Sequence, residues 1–161
     1  MIIYVLFAAI IGYVFIFVYK TKTGSPYVPS GKSEIEKMLK YVKRGDIVGD
    51  FGAGDGRVLT ASIGAGAREA WGFEIEPHVW ILGKLKNRHN RRVHLLFGSM
   101  WRDDFSKYDV IFVYQLERYA EKFTKKAKRE MKKNALVVSN TYAIPGLTLL
   151  KRDGRLFVYR M

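Results

Sequence analysis

The stretch Gly49-Asp50-Phe51-Gly52-Ala53-Gly54-Asp55-Gly56-Arg57 organises the chain around it. A short apolar run, Asp46-Ile47-Val48, precedes it and a helical pattern follows, so it reads as the turn from a strand into a helix. The alternate glycines Gly52, Gly54 and Gly56 clear every Cβ from one side of that turn, and the backbone can come close to a bound nucleoside. The spacing is G-x-G-x-G, not the dinucleotide-binding G-x-G-x-x-G.

The two acids narrow the ligand further. A loop built for a pyrophosphate wants backbone N–H groups and little negative charge nearby. Asp50 and Asp55 repel phosphate but tolerate a cation. S-adenosylmethionine carries a sulfonium cation, an ammonium group and no phosphate, and it is the expected cofactor. Glu74 lies 22 positions after Gly52 at the end of the next apolar run, where a carboxylate can accept the hydrogen bonds of a ribose diol. Gly98-Ser99-Met100 closes the third run, and Ser99 and Met100 are expected at the adenine.

Strands and helices alternate on either side of these motifs. Residues 46–51, 69–75, 93–97, 109–114 and 135–140 read as five strands. Helices are expected over 57–63, 77–88, where Pro77 suits a first turn, and 117–133. Ser33-Glu34-Ile35-Glu36 has the form of a capping box for an earlier helix that ends before Gly45, with Ile35, Met38, Leu39 and Val42 on one face. Residues 147–150 and 156–159 form a closing hairpin that turns at Asp153-Gly154. Such an order implies an α/β fold with a parallel sheet and helices on both faces. Ligands in these sheets bind at the carboxyl ends of the strands, where every motif above is found.

Composition bounds the remaining possibilities. The 161 residues fit one globular domain, and 48% hydrophobic content is ample for a core. No cysteine is present, which excludes disulfides and cysteine metal sites, and His78, His89 and His94 lack metal spacing, so no metal is expected. The net charge of +13 favours nucleic acid, an acidic protein surface or anionic lipid as partner. Much of it falls in the basic helix 117–133, which reads either as a solvated face or as a substrate or lipid contact.

Residues 1–19 hold no charged side chain. As a helix they rise about 28 Å, close to the roughly 30 Å of a bilayer's hydrocarbon core. The sequence therefore predicts a single transmembrane anchor, a tether over 20–25 and a domain over 26–161. All charges follow the apolar run, so the expected location is the membrane, single-pass, with the catalytic domain cytoplasmic.

The motif set Pro26-Tyr27-Val28-Pro29-Ser30, Asp50 to Arg57, Gly72-Phe73-Glu74-Ile75, Val137-Val138-Ser139-Asn140 and Ile144-Pro145-Gly146 resembles class I, seven-strand S-adenosylmethionine-dependent protein-lysine methyltransferases. Within that class it is similar to the ATP synthase c-subunit lysine methyltransferase family and the archaeal broad-specificity enzymes. The resemblance implies a Rossmann-like, doubly wound seven-stranded sheet of order 3-2-1-4-5-7-6. It also implies that Asp50 and Gly52 hold the cofactor's methionine end and Glu74 its ribose, with Gly54 and Gly56 as further cofactor-binding residues, and that Tyr27 folds over the methyl-transfer channel. Ser99 departs from the acid or amide common after strand three, and Leu147 stands where relatives often have Trp.

The function expected is methyl transfer to the ε-amine of a protein lysine near a membrane surface, with a small membrane protein as one candidate substrate. Tyr27 and Tyr114 are the candidate catalytic residues, as aromatic walls for the lysine's stem and ammonium. RNA and small-molecule methyltransferases are the alternatives, as is a non-enzymatic binding module. An exocyclic-amine nucleic-acid methylase carries Asn/Asp-Pro-Pro-aromatic after strand four, and Val113-Tyr114-Gln115-Leu116 lacks it. Nucleic acid is therefore not the expected partner.

Overall fold

The structure, a computed structural model, describes residues 3, 4, 6, 7, 10–13, 29–114 and 119–161. Seven strands form one sheet: β1 (Ile47–Phe51), β2 (Glu69–Glu74), β3 (Val93–Phe97), β4 (Val110–Val113), β5 (Leu136–Asn140), β6 (Leu149–Asp153) and β7 (Leu156–Arg160). Their order is β3-β2-β1-β4-β5-β7-β6. The first five are parallel, and β7 runs antiparallel to both β5 and β6. Four helices complete the described fold: α1 (Lys32–Leu39), α2 (Arg57–Gly64), α3 (Pro77–Asn87) and α4 (Ala120–Glu130).

Period-two alternation assigns each strand residue to one of two cores. Val48, Val110, Phe112, Val138 and Val158 join Met38 of α1 and Leu59 and Ile63 of α2 on one face. Phe51, Ile111, Val113, Val137 and Tyr159 join Phe105, Phe123 and Ala127 on the other. Both faces are covered, which is why β4 reads as a continuous apolar run and not as an alternating one. Each large side chain fully buried in this way stabilises the fold by about 1.5–3 kcal/mol.

Two local expectations change. The first helix is capped at Gly31, not Ser33: the Glu34 carboxylate accepts the Gly31 N–H at 3.1 Å. Glycine has no side chain to return the bond, so only half of a capping box forms. The basic helix carries ion pairs one turn apart, an exposed one from Lys125 to Glu121 at 2.7 Å and a largely buried one from Lys126 to Glu130 at 2.6 Å. Its opposite side buries Phe123 and Ala127.

The transmembrane anchor is overturned. Among the described residues no helix is long and apolar enough to cross a membrane. Crossing takes about 20 consecutive helical residues; of the stretch 1–19 only positions 3, 4, 6, 7 and 10–13 are described, and all of these are helical. The apolar composition of residues 1–19 was the whole basis for the span. With no such helix among the described residues, the single-pass membrane location and the lipid contact drawn from it are not upheld. The tether over 20–25 and Tyr27 lie outside the described residues.

Candidate functional site

The site begins where β1 ends. Gly52 adopts a φ of +93°, which only glycine takes without strain, and turns the chain out of the sheet. The Gly52 and Ala53 N–H groups both donate to Phe73 O at 3.0 Å, so the loop is stitched to β2. From the other side α3 presses on it. A Cβ on Gly83 would stand 3.1 Å from Gly54 O and 2.4 Å from Leu95 Cδ2, so the absence of that carbon sets how near the helix lies. Asn87 at the end of α3 donates to Asp55 O at 3.0 Å. Gly56 caps α2, and its missing Cβ leaves room for the Asn87 amide.

Asp50 and Asp55, alike on paper, end in opposite states. Asp55 is clamped between cations: Arg57 Nε donates at 2.9 Å and Lys86 Nζ at 2.6 Å. Burial alone would raise its pKa, but those two partners hold the carboxyl well below the usual range. Asp55 is therefore a structural pin, and the loop's tolerance for a cation does not come from it. Asp50 is 7% exposed, and its carboxylate has no hydrogen-bond or ion-pair partner among the described residues. Burial, and then the charges of Glu74 and Asp55, push its pKa up to about 7.

Glu74 ends β2 and is also buried. Its carboxylate accepts three backbone N–H bonds, from Gly54 at 2.9 Å and from Ile75 and Glu76 at 2.7 Å each. A carboxylate offers about four acceptor positions. One remains open, so a ribose diol shares this side chain with the backbone and does not claim it outright.

Asp50, Gly52, Gly54, Glu74 and Tyr114 line one cleft of about 840 Å³ of empty space, counting its open mouth. That lies within the usual range for a small-molecule site. Gly56 stands behind the wall as a helix cap. Ser99 and Met100 are not in this lining. Ser99 caps a short turn, and Met100 packs against the second core. Among the lining residues not named as site residues from the sequence are the polar Ser30, Glu76 and Asn140, and Pro29. Asn140 ends β5 as Glu74 ends β2, so strand position alone would have found it. At Tyr114, burial and then a hydrogen bond to Tyr142 push the phenol's pKa up, so the hydroxyl stays protonated.

These residues fit S-adenosylmethionine. A buried acid without a partner, next to a second acid with one acceptor position left, suits a cationic nucleoside and disfavours a phosphate.

Known proteins give the same reading. The family model for the ANTKMT methyltransferase domain matches residues 50–151. A protein-lysine N-methyltransferase of Saccharolobus islandicus is 31% identical, over 75% of this chain and 79% of its own length. The ATP synthase c-subunit lysine N-methyltransferase of Xenopus laevis is 27% identical over 74% of this chain, and the match spans 54% of that protein. A crystal structure of an RNA methyltransferase from Salinibacter ruber, in complex with S-adenosyl-L-homocysteine, superimposes with a TM-score of 0.73. It covers 83% of this chain and 92% of its own at 22% identity, a likeness of fold alone. The chain belongs to the ANTKMT methyltransferase domain family, and its cofactor is S-adenosylmethionine.

Proposed function

We propose that residues 26–161 form a domain that methylates the ε-amine of lysine in a protein substrate. The observation that carries the reading is the buried Asp50 carboxylate, without a partner among the described residues, beside Glu74 in the cleft. The relatives' names support lysine as the acceptor: the Saccharolobus islandicus and Xenopus laevis proteins are both lysine N-methyltransferases. The RNA reading rests on a likeness at 22% identity and on net charge, and no observation at the site favours it.

When bound, S-adenosylmethionine supplies a methyl group activated on a sulfonium. Asp50 holds the cofactor's cationic end, and the last acceptor position of Glu74 holds its ribose. The acceptor amine must arrive neutral. Deprotonating a free lysine at pH 7 costs about 4.6 kcal/mol. The cleft lowers that cost by desolvating the ammonium, and a neighbouring cation lowers it further. Tyr114 stays a neutral phenol and so serves as a wall for the lysine stem, not as a base. Its ring lies 5.4 Å from that of Tyr142, edge to face, which gives the wall a second member. Tyr27 is retained as a proposed wall from the segment ahead of α1.

The test is a labelling experiment. The purified chain is incubated with isotopically labelled S-adenosylmethionine and a whole-cell protein extract, and lysine methylation is mapped by mass spectrometry. Label on protein lysines that disappears with Asp50→Ala is expected. Label confined to RNA would contradict the proposal.

A further inference from the structure

Thr141, the residue after β5, sits at a φ of +75°. The left-handed region is a genuine outlier for a β-branched side chain, and such strain persists only where the surroundings enforce it. Here they do. The Thr141 N–H donates to Arg155 O at 2.8 Å. Downstream, Ser139 Oγ donates to Tyr142 O at 2.6 Å, Thr124 Oγ1 to Pro145 O at 2.7 Å, and the Ile144 N–H to the Tyr159 hydroxyl at 2.8 Å. Residues 141–146 form a pinned rim on the β4–β5 side of the cleft.

The Thr141 hydroxyl is the hub of that rim. Arg155 Nη2 donates to it at 2.9 Å. It lies 3.2 Å from Asn140 Oδ1. A threonine hydroxyl has two lone pairs and one proton. Arg155 occupies a lone pair, and the proton goes to Asn140 Oδ1. That fixes the Asn140 amide, which is 5% exposed and lines the cleft. Its Nδ2 donors have no partner among the described residues. The other buried polar side chains of the lining, Asp50, Asp55, Glu74 and Glu76, are all acids. Asn140 thus offers the cleft a buried side-chain amide donor. On the outer side Arg155 Nη1 stands 3.5 Å from Glu34 of α1, tying the hub to the first helix.

We infer that Thr141 and Arg155 are positioning residues for methyl transfer: one hydroxyl, held by one guanidinium, aims the Asn140 amide nitrogen at an acceptor oxygen of the bound reactants. The inference rests on the methyl-transfer reading above but not on the identity of the protein substrate. Asn140 touches the reactants, while Thr141 and Arg155 act through it. Misplacing such groups by an ångström can cost up to about 100-fold in rate.

The experiment compares Thr141→Gly, Arg155→Ala and the double variant in the full chain, with dephosphorylated casein as an unstructured lysine-bearing probe. Thr141→Gly should lower kcat about tenfold and Arg155→Ala about threefold. The double variant should be no slower than Thr141→Gly, because the two act as one unit. Affinity for S-adenosylhomocysteine by calorimetry should stay within about twofold. Glycine accepts the positive φ without strain, so the Tm of Thr141→Gly should stay within about 3 °C of the parent. Losses that multiply in the double variant would overturn the inference, as would a fall in Tm with kcat unchanged. If casein is not methylated, the Asn140 side-chain amide resonances decide. A shift in both single variants with S-adenosylhomocysteine bound upholds the coupling even if the lysine reading has failed, and unmoved resonances sink it.

Discussion

Asp50 and Asp55 stand at the two ends of one glycine turn, and the contrast between them explains the site. The exit end is neutralised: Arg57 and Lys86 surround Asp55, and α3 locks the backbone behind it. The other end is left unfinished: Asp50 is buried without a partner among the described residues, beside a second acid. The same residue type, five positions apart, does structural work in one place and stores an unfavourable charge in the other. A protein keeps a costly buried charge where function uses it. Here the cofactor's cation completes at the β1 end what Arg57 and Lys86 complete at the α2 end.

The sharpest way to break this contrast is to remove the unpaired charge. Asp50→Asn should weaken S-adenosylmethionine binding about 100-fold by calorimetry, the loss of a charge-assisted contact worth up to about 3 kcal/mol. The same variant should raise Tm by about 5 °C, because a buried acid that repels its neighbours is gone. A variant that is more stable but does not bind cofactor would be hard to explain by structural damage. Next comes the backing of the loop. Alanine normally stabilises a helix relative to glycine, but Gly83→Ala places a carbon 2.4 Å from Leu95 Cδ2 and 3.1 Å from Gly54 O. Overpacking of about 1–3 kcal/mol should outweigh propensity, lower Tm and weaken cofactor binding about tenfold.

pH sharpens the comparison. With its folded pKa raised to about 7, Asp50 favours the fold below the ordinary carboxylate range and withdraws that stability as pH rises towards 7. A bound cation favours the ionised form, so affinity should move the opposite way. Calorimetry should show S-adenosylmethionine binding strengthening by up to about tenfold from pH 5.5 to 7, with no such trend for adenosine, which carries no cation. Asp55 has its pKa depressed, so its contribution is present above the ordinary range and is lost only as pH falls well below it. The smallest effect should come from Asp55→Ala. Its partners Arg57 and Lys86 are 40% and 62% exposed, which screens the pairs. A loss of about 1–2 kcal/mol in urea unfolding and less than a fivefold change in cofactor affinity are expected.

Much of the fold was legible because each strand carries its own evidence. The apolar runs of β1, β2, β3 and β5 end at a glycine, acid or amide, that of β4 at Tyr114, and the structure reproduces all five to within one residue at each end. The place of β7 between β5 and β6 was not written in any local pattern; it followed only from the resemblance to a known class. The glycine turn and Glu74 were legible because both are backbone-scale features. What separates Asp50 from Asp55 was not, since it depends on Lys86 arriving from 31 positions away. Thr141 was equally hidden: a threonine at positive φ violates local preference, and only the hairpin carrying Arg155 explains it. Residues 1–19 show the opposite case: their composition was read as a membrane span, and among the described residues no helix is long and apolar enough to cross a membrane.

Most depends on the state of Asp50 before and after the cofactor arrives. Carbon-detected NMR of the aspartate carboxyls, titrated from pH 4 to 9 with and without S-adenosylmethionine, measures it directly. The expected result is a pKa of about 7 in the free protein that falls into the ordinary carboxylate range, near about 4, when the cofactor binds. An ordinary value in the free protein, or a raised value that the cofactor leaves unchanged, would contradict it.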